Sequence, residues 1–370
     1  FIGPNTRVVD ARGKCLYPGF IDNHCHHLWM GGLMSVMGNM YHAGTLDRFS
    51  EMVQDYAGAA RQFDSVEAFA EMIQELAGER SSVPFVLAIG WSQDWFEGGL
   101  PDAAAADAIL SDRPLFLWSN GGHTGWVNSM ALERMQQPQY AEALRRLTPE
   151  RDPDTDELTG IFLDFYPFSP MDFFSAEELG EAFETDFMTS MTTAIDNALA
   201  AGITTINDVQ IYESFLPLLL KFHERGGLER IRARGSFYIS HYALDDEPGL
   251  IASLEDWQAL GPQVNDGHFR IGDSVKLYID GIFGTHTAFM SAPYSNRPDY
   301  PGHPLWTQED FNRVIEIVDG MGLQACTHGM GDAGITRILN AYEYVRGIHP
   351  AWDARHRIEH CGLPTPEQIA

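Results

Sequence analysis

The chain has 370 residues, 44% of them hydrophobic and 12% aromatic, and its 24 basic and 52 acidic residues give a formal net charge of −28. This size and apolar content are typical of a globular protein with a large core or of two domains. The charge argues against nucleic acid and anionic membranes as partners and disfavours polyanionic substrates. We therefore expect a small-molecule substrate and leave a homodimer open as the assembly state.

Four cysteines are too few and too widely spaced for a disulfide framework, so we expect buried, reduced thiols. No apolar run approaches the roughly 20 residues that a membrane helix needs. The chain begins with Phe1, in what resembles the end of a strand, so we expect missing upstream sequence. A cytoplasmic location is the prediction.

The first informative feature is the sequence His24-Cys25-His26, which follows the apolar stretch 16–23. If this stretch is a β-strand, its side chains alternate, so His24 and His26 lie on one face and Cys25 on the other. Two imidazoles at this spacing can bind one metal ion.

A long insertion, residues 27–200, is predicted after this strand. It contains a helix near Val66–Ala77, strand-like runs at Phe85–Trp91 and Pro114–Ser119, and a polar turn at Asp152–Gly160. Ser175 and Glu178 match a capping box and predict the start of a helix. Its apolar stripe, which we assign to core packing, consists of Leu179, Phe183, Phe187, Met191 and Ile195.

From about residue 202, β-like runs alternate with amphipathic helices, which favours βα units around a parallel sheet. The predicted strands are Gly202–Val209, Ile231–Ser240, Ser274–Gly281, Leu323–Gly329 and His356–Cys361. With Phe20–His26 they supply six of the eight strands of a β/α barrel. We expect the chain to be a fragment, with the barrel completed beyond Ala370.

Histidines occur where three of these strands end: His24 and His26, His328, and His360. Barrel enzymes place their ligands at the carboxyl ends of strands, and imidazoles suit zinc and related divalent ions. These four residues are therefore the candidate metal ligands.

Lys276 lies within an apolar strand, where an ammonium group is costly unless it is paired or chemically altered. One interpretation is a structural salt bridge with Asp273 or Asp280. The other is reaction with carbon dioxide to give a carbamate, whose two oxygens can bridge two metal ions.

Two further candidates lie in the insertion. His123, in the glycine-rich segment 120–124, either donates to the substrate or stabilises its loop. Trp91 either lines a substrate pocket or packs in the core.

Taken together, these segments resemble the amidohydrolase superfamily, specifically amidohydrolase family 3, which includes N-substituted formamide deformylases. The matching segments, in family order, are 18–26, 122–129, 201–205, 275–281, 328–332 and 355–360. The resemblance implies an α/β fold, a TIM-like barrel of the metal-dependent hydrolase type. Residues 1–16 would be the remnant of a flanking β-sandwich, and 17–370 the incomplete barrel with its insertion 27–200.

Residue by residue, the resemblance implies that His24 and His26 hold a first metal ion and that His328 and His360 hold a second. Lys276, carboxylated, would contact or bridge one or two divalent ions, with Zn²⁺ expected. Lys276 and His328 are therefore the predicted catalytic residues in this chain. The family's general-base aspartate would lie beyond Ala370.

The implied reaction is hydrolysis of a non-peptide, amide-type C–N bond of a small molecule by a metal-bound hydroxide. Aromatic residues in the insertion favour an uncharged or hydrophobic substrate. Two alternatives stay open: an ester or lactone hydrolase that uses the same site, and a metal-binding homologue without catalysis.

Overall fold

In a computed structural model that describes residues 2–33, 37–39, 65–79, 84–96, 100–119, 123–145, 147–163 and 170–370, the strands form two separate sheets. The strands are β1 (Phe20–Cys25), β2 (Met37–Asn39), β3 (Val86–Trp91), β4 (Leu115–Ser119), β5 (Gly125–Val127), β6 (Thr148–Arg151), β7 (Leu158–Leu163), β8 (Ile203–Ile211), β9 (Arg232–Tyr238), β10 (Phe269–Arg270), β11 (Ser274–Tyr278), β12 (Gln324–Gly329) and β13 (Arg357–His360). The helices are α1 (His27–Leu33), α2 (Val66–Glu79), α3 (Ala103–Asp107), α4 (Ser129–Met135), α5 (Ala141–Arg145), α6 (Ala176–Ala200), α7 (Leu216–Glu224), α8 (Glu247–Val264), α9 (Gln308–Gly320), α10 (Asp332–Ile348) and α11 (Pro366–Ile369).

The first sheet is a nearly closed barrel of parallel strands in the order β1-β8-β9-β11-β12-β13, with β10 beside β9. Helices follow most of these strands, as parallel connections require. Side chains of β13 and β1 meet across the remaining gap, where Arg357 Nη1 donates to Asn23 Oδ1 at 3.0 Å. The predicted TIM-like β/α barrel is confirmed.

A second sheet, in the order β2-β3-β4-β5-β7-β6, lies within the predicted insertion. Its first three strands are parallel, and the remaining pairs are antiparallel. This sheet is covered on both faces, because the side chains that alternate along its strands pack into two different hydrophobic cores. Phe116 and Trp118 pack in the main core, whereas Leu117 and Trp91 pack in a second core with Phe69 of α2.

Helix α6 joins this sheet to the barrel. Ser175 accepts the Glu178 backbone N–H at 3.2 Å, and the Glu178 side chain accepts the Ser175 N–H at 2.8 Å, so the predicted capping box is present. Phe183, Phe187 and Met191 are buried, as the stripe predicts.

Residues 2–19 are exposed and form turns but no strand in the described structure. The β-sandwich remnant assigned to residues 1–16 stays a prediction. Cys15 in this segment is exposed, contrary to the expected burial, whereas Cys25 and Cys326 are buried and free. Within the described residues, no helix is both long and apolar enough to span a membrane.

Candidate metal centre

The carboxyl ends of β1, β12 and β13 bring the four predicted histidines side by side. The ring centre of His24 lies 5.6 Å from that of His26 and 4.6 Å from that of His360. His360 in turn lies 4.6 Å from His328. Parallel strands end at the same rim of the barrel, which is why residues more than 330 positions apart in sequence become neighbours.

A carboxylate from β13 orients His24. The Nδ1 of His24 lies 2.5 Å from Glu359 Oε2, a contact that fixes the ring and directs Nε2 away from Glu359. His24 Nε2 is buried and has no hydrogen-bond partner among the described residues. Burial raises the pKa of Glu359, but the hydrogen bond from His24 and the charge of Arg357 bring it below its usual value.

His26 lies immediately after β1, beside a buried aspartate from β8. Its Nδ1 accepts the Trp29 indole N–H at 3.3 Å and lies 3.8 Å from Asp208 Oδ1. Burial, followed by the charge of Lys276, lowers the pKa of His26 well below its usual range. The imidazole is therefore neutral, which is the form that binds a metal ion.

Asp208 is the main site residue that the sequence analysis missed. It is completely buried, and its carboxylate accepts the backbone N–H groups of Leu28 at 2.7 Å and Gln210 at 3.2 Å. Burial raises its pKa to about 7, although these hydrogen bonds oppose the shift. Polar residues make up more than half of β8, so the local pattern around Asp208 does not single it out as the apolar run around Lys276 does.

Lys276 lies in the middle of β11 and is completely buried. Neither predicted salt bridge forms: Asp273 pairs with Arg234 and Arg270, and Asp280 accepts backbone N–H groups. Lys276 Nζ lies 4.5 Å from the centre of the Tyr278 ring and has no hydrogen-bond partner among the described residues. Burial lowers its pKa to about 8, which makes the neutral amine accessible near physiological pH.

His328 contacts the loop that follows β11 and lies near a histidine of the insertion. Its Nε2 donates to the Gly281 carbonyl at 2.9 Å. The ring centre of His123 lies 5.9 Å from that of His328, so the structure brings His123 to the predicted site. Burial, followed by the nearby His360, lowers the pKa of His328 well below its usual range.

His360 ends β13 in an unusual backbone conformation. Both His360 and Cys361 are left-handed, with φ of 64° and 47°, which is uncommon outside glycine and is frequent at functional sites. Although part of the side chain stays exposed, desolvation and the neighbouring His24 lower the pKa of His360 to about 3.

Trp91 does not join this group. It is 1% exposed, its Nε1 donates to the Leu117 carbonyl at 3.3 Å, and its ring packs against Trp126 in the second core. The structure thus places Trp91 in this second core, and its contact with a substrate stays a prediction.

The rings of the predicted histidine ligands contact one another, but their nitrogen atoms are not gathered closely enough to coordinate one metal ion. Among the described residues, the group whose potential ligand atoms all lie within 4.8 Å of one another is Asp22, Cys25 and His27. The predicted set nevertheless fits a metal ion by chemistry. It combines four imidazoles with the buried amine of Lys276, and two of its nitrogens, His24 Nε2 and Lys276 Nζ, have no hydrogen-bond partner in the described structure.

The fold is thus a parallel β/α barrel that carries four histidines at the carboxyl ends of its strands. Residues 7–370 match the sequence profile of the amidohydrolase family, and the chain belongs to that family.

Three relatives align with almost the whole chain. Protein LONG AFTER FAR-RED 3 of Arabidopsis thaliana is 27% identical over 97% of this chain and 57% of its own length. The putative amidohydrolase YtcJ of Bacillus subtilis is 24% identical over 99% and 62%. The N-substituted formamide deformylase of Arthrobacter pascens is 20% identical over 96% and 60%. The chain therefore spans about three fifths of the length of these relatives.

The barrel also resembles a solved structure. An uncharacterized metal-dependent hydrolase from Pyrococcus furiosus superposes with a TM-score of 0.58 at 23% identity, covering 95% of this chain and 62% of that one. This similarity supports the fold.

Proposed function

We propose that this chain forms most of the barrel of a metal-dependent hydrolase that cleaves a non-peptide, amide-type C–N bond of a small molecule. His24, His26, Lys276, His328 and His360 would hold one or two Zn²⁺ ions. When bound, zinc would lower the pKa of a coordinated water and polarise the substrate carbonyl. Membership of the amidohydrolase family supports this proposal.

One observation carries the proposal: the buried amine of Lys276 has no hydrogen-bond partner among the described residues and lies close enough to His26, His328 and His360 for its charge to help lower the pKa of each. A buried amine without a partner lowers the stability of the fold, and a functional role would explain why such a group is present. Its pKa of about 8 leaves a fraction of neutral amine at pH 7. The amine nitrogen can add to carbon dioxide and lose a proton, which gives a carbamate with two oxygen donors and a negative charge.

Other residues would position these groups. Glu359 holds the ring of His24 through Nδ1, and Gly281 holds His328 through Nε2. His123 lies near His328, where an imidazole N–H could contact the substrate carbonyl.

The experiment is turnover by the metal-replete full-length protein and by the same protein after chelation. The substrates are N-substituted formamides, N-acylated amines and cyclic amides, each beside a matched ester or lactone. We expect hydrolysis of at least one C–N class, its loss on chelation and its recovery with Zn²⁺. Turnover of esters alone would replace the proposed bond, and no turnover of any compound would refute the proposal.

A further inference from the structure

A cavity of about 780 Å³ lies where β8 and β9 end, at the same rim of the parallel barrel as the carboxyl ends of the strands that carry the histidines. Its inner wall consists of Tyr212, which follows β8, and of Phe237 and Tyr238 from β9. Leu147 and Met171 from the insertion and Leu250 from α8 close its sides. Its volume lies within the range of about 300–1,000 Å³ that is typical of small-molecule sites.

Aromatic rings connect this cavity to the proposed metal ligands. The ring centre of Tyr212 lies 5.2 Å from Trp29, which lies 5.8 Å from His26. Along a second path, Tyr238 lies 6.0 Å from Tyr278, and Tyr278 lies 4.7 Å from His328.

A hydrogen-bonded chain joins the two paths. The Tyr278 hydroxyl donates to Gln210 Oε1, and Gln210 Nε2 donates to the Tyr212 hydroxyl. The cavity and the histidines thus lie at the same rim of the barrel, linked by short runs of contacting aromatic rings.

The polar groups of the cavity are mainly acidic. Asp172, Glu213 and Asp246 contribute three carboxylates to its lining. Arg145 is the only Lys or Arg among the described residues that line it, and it is paired with Asp245 outside the lining. An anionic group would meet net repulsion here, whereas a cation would be attracted.

The aromatic groups favour the same kind of ligand. Tyr212, Tyr238 and Tyr242 all line the cavity, and tyrosine rings attract cations through their faces. Tyr242 already has a cationic neighbour, since the Arg145 guanidinium lies 5.8 Å from the centre of its ring.

We propose that this cavity is the subsite for the part of the substrate beyond the scissile bond, and that it selects an aryl or alkyl group bearing a positive charge. The inference rests on the proposed hydrolase function, and it replaces the expectation of an uncharged substrate. The substrate class is then an acylated amine with a second, cationic nitrogen.

The test uses two formamides of the same shape that differ only in charge. N-(4-trimethylammoniobenzyl)formamide is cationic, and N-(4-tert-butylbenzyl)formamide is its neutral isostere. We expect kcat/KM to be about tenfold higher for the cation at low ionic strength, and this ratio to fall as salt is added. A ratio of one, or a preference for the neutral compound, would refute the subsite.

Variants then locate the preference. The double variant Glu213→Gln/Asp172→Asn removes two of the charges with little change in volume, and we expect the cation-to-neutral ratio to fall about threefold or more. Glu224→Gln/Glu229→Gln is the matched control, because both residues are exposed carboxylates outside the cavity lining. An equal change in both proteins would refute the assignment to this cavity.

A binding measurement separates failure of the subsite from failure of the hydrolase proposal. The probes, which contain no hydrolysable bond, are 4-(trimethylammonio)phenol, 4-tert-butylphenol and 4-hydroxybenzoate. Calorimetry on the full-length protein should give the order cation, neutral, anion, even if no formamide is hydrolysed. Turnover without this order would refute the subsite alone.

Discussion

Lys276 departs furthest from what its residue type ordinarily does, because its amine is fully buried and unpaired in the described structure. Lys276→Ala should lower bound metal by at least one equivalent and reduce kcat/KM by about 100-fold or more, since the variant loses a donor to the site. Metal analysis and steady-state kinetics measure both quantities.

A short carboxylate such as propionate should restore part of the activity of Lys276→Ala by occupying the space that the carbamate leaves. Unchanged metal content and activity in the variant would eliminate the carbamate role.

Glu359 should affect metal binding without being a ligand, because it acts through the ring of His24. Glu359→Gln weakens this hydrogen bond and should reduce zinc affinity by about 10- to 100-fold. Competition with a chromophoric chelator measures the dissociation constant. Glu343→Gln, an exposed substitution on α10, serves as the control, and equal affinities in the two variants would exclude the positioning role.

For single residues, the sequence identifies side chains that are unusual for their surroundings, such as a lysine within an apolar strand (Lys276) and histidines at the ends of strands. Glu359 was not assigned because its partner, His24, lies 335 positions away in sequence, and only the closing of the barrel brings them together. Asp208 was missed because its strand is rich in polar residues, and only folding shows that its carboxylate is buried. Trp91 was ambiguous because aromatic residues serve both cores and pockets.

Among the elements, α9, α10, β12 and β13 are joined at the opposite end of the barrel by one buried carboxylate. Asp319 accepts from His349 Nδ1 at 2.6 Å, from His356 Nε2 at 2.9 Å and from the Trp352 indole at 2.9 Å. The other ring nitrogen of His356 accepts the Ala325 N–H at 3.0 Å. His356 must therefore be neutral to make both contacts.

His356→Ala should lower the free energy of unfolding by about 2 kcal/mol, because it removes a partner from both Asp319 and the Ala325 N–H. His356→Gln, which has one donor and one acceptor and does not titrate, should lose less. Chemical denaturation at pH 7 measures the difference, and equal losses would contradict this hydrogen-bond arrangement.

The same network predicts a pH dependence. Burial lowers the pKa of His356, while its hydrogen bond to Asp319 opposes the shift. The unfolded chain therefore binds more protons than the folded protein once the pH falls below about 6.5, and stability declines with acidification. Between pH 7 and 5, wild type should lose more stability than His356→Gln; parallel curves would contradict this.

Elements with strong local signals were predicted well. Ser175 caps its helix as expected, and the strand-like runs from residue 202 onward correspond to β8, β9, β11, β12 and β13. The order of the second sheet was not predicted, because its pairing of β4 with β5 and β5 with β7 depends on contacts that local pattern does not encode.

For the whole molecule, a metal ion held by several strands should stabilise the folded state by mass action. Zinc at about 100 times its dissociation constant contributes about 2.7 kcal/mol, so Tm of the chelated full-length protein should rise by several degrees when zinc is added. Differential scanning calorimetry measures the shift. His24→Ala/His328→Ala should show little shift, and an undiminished response would place the zinc elsewhere.

The most direct test of the central claim is anomalous diffraction at the zinc absorption edge from crystals of the metal-replete full-length protein. We expect a peak about 2.0–2.1 Å from histidine nitrogens of the set His24, His26, His328 and His360, with density for a carbamate on Lys276. Absence of a peak at these residues, or a peak held only by Asp22, Cys25 and His27, would contradict it.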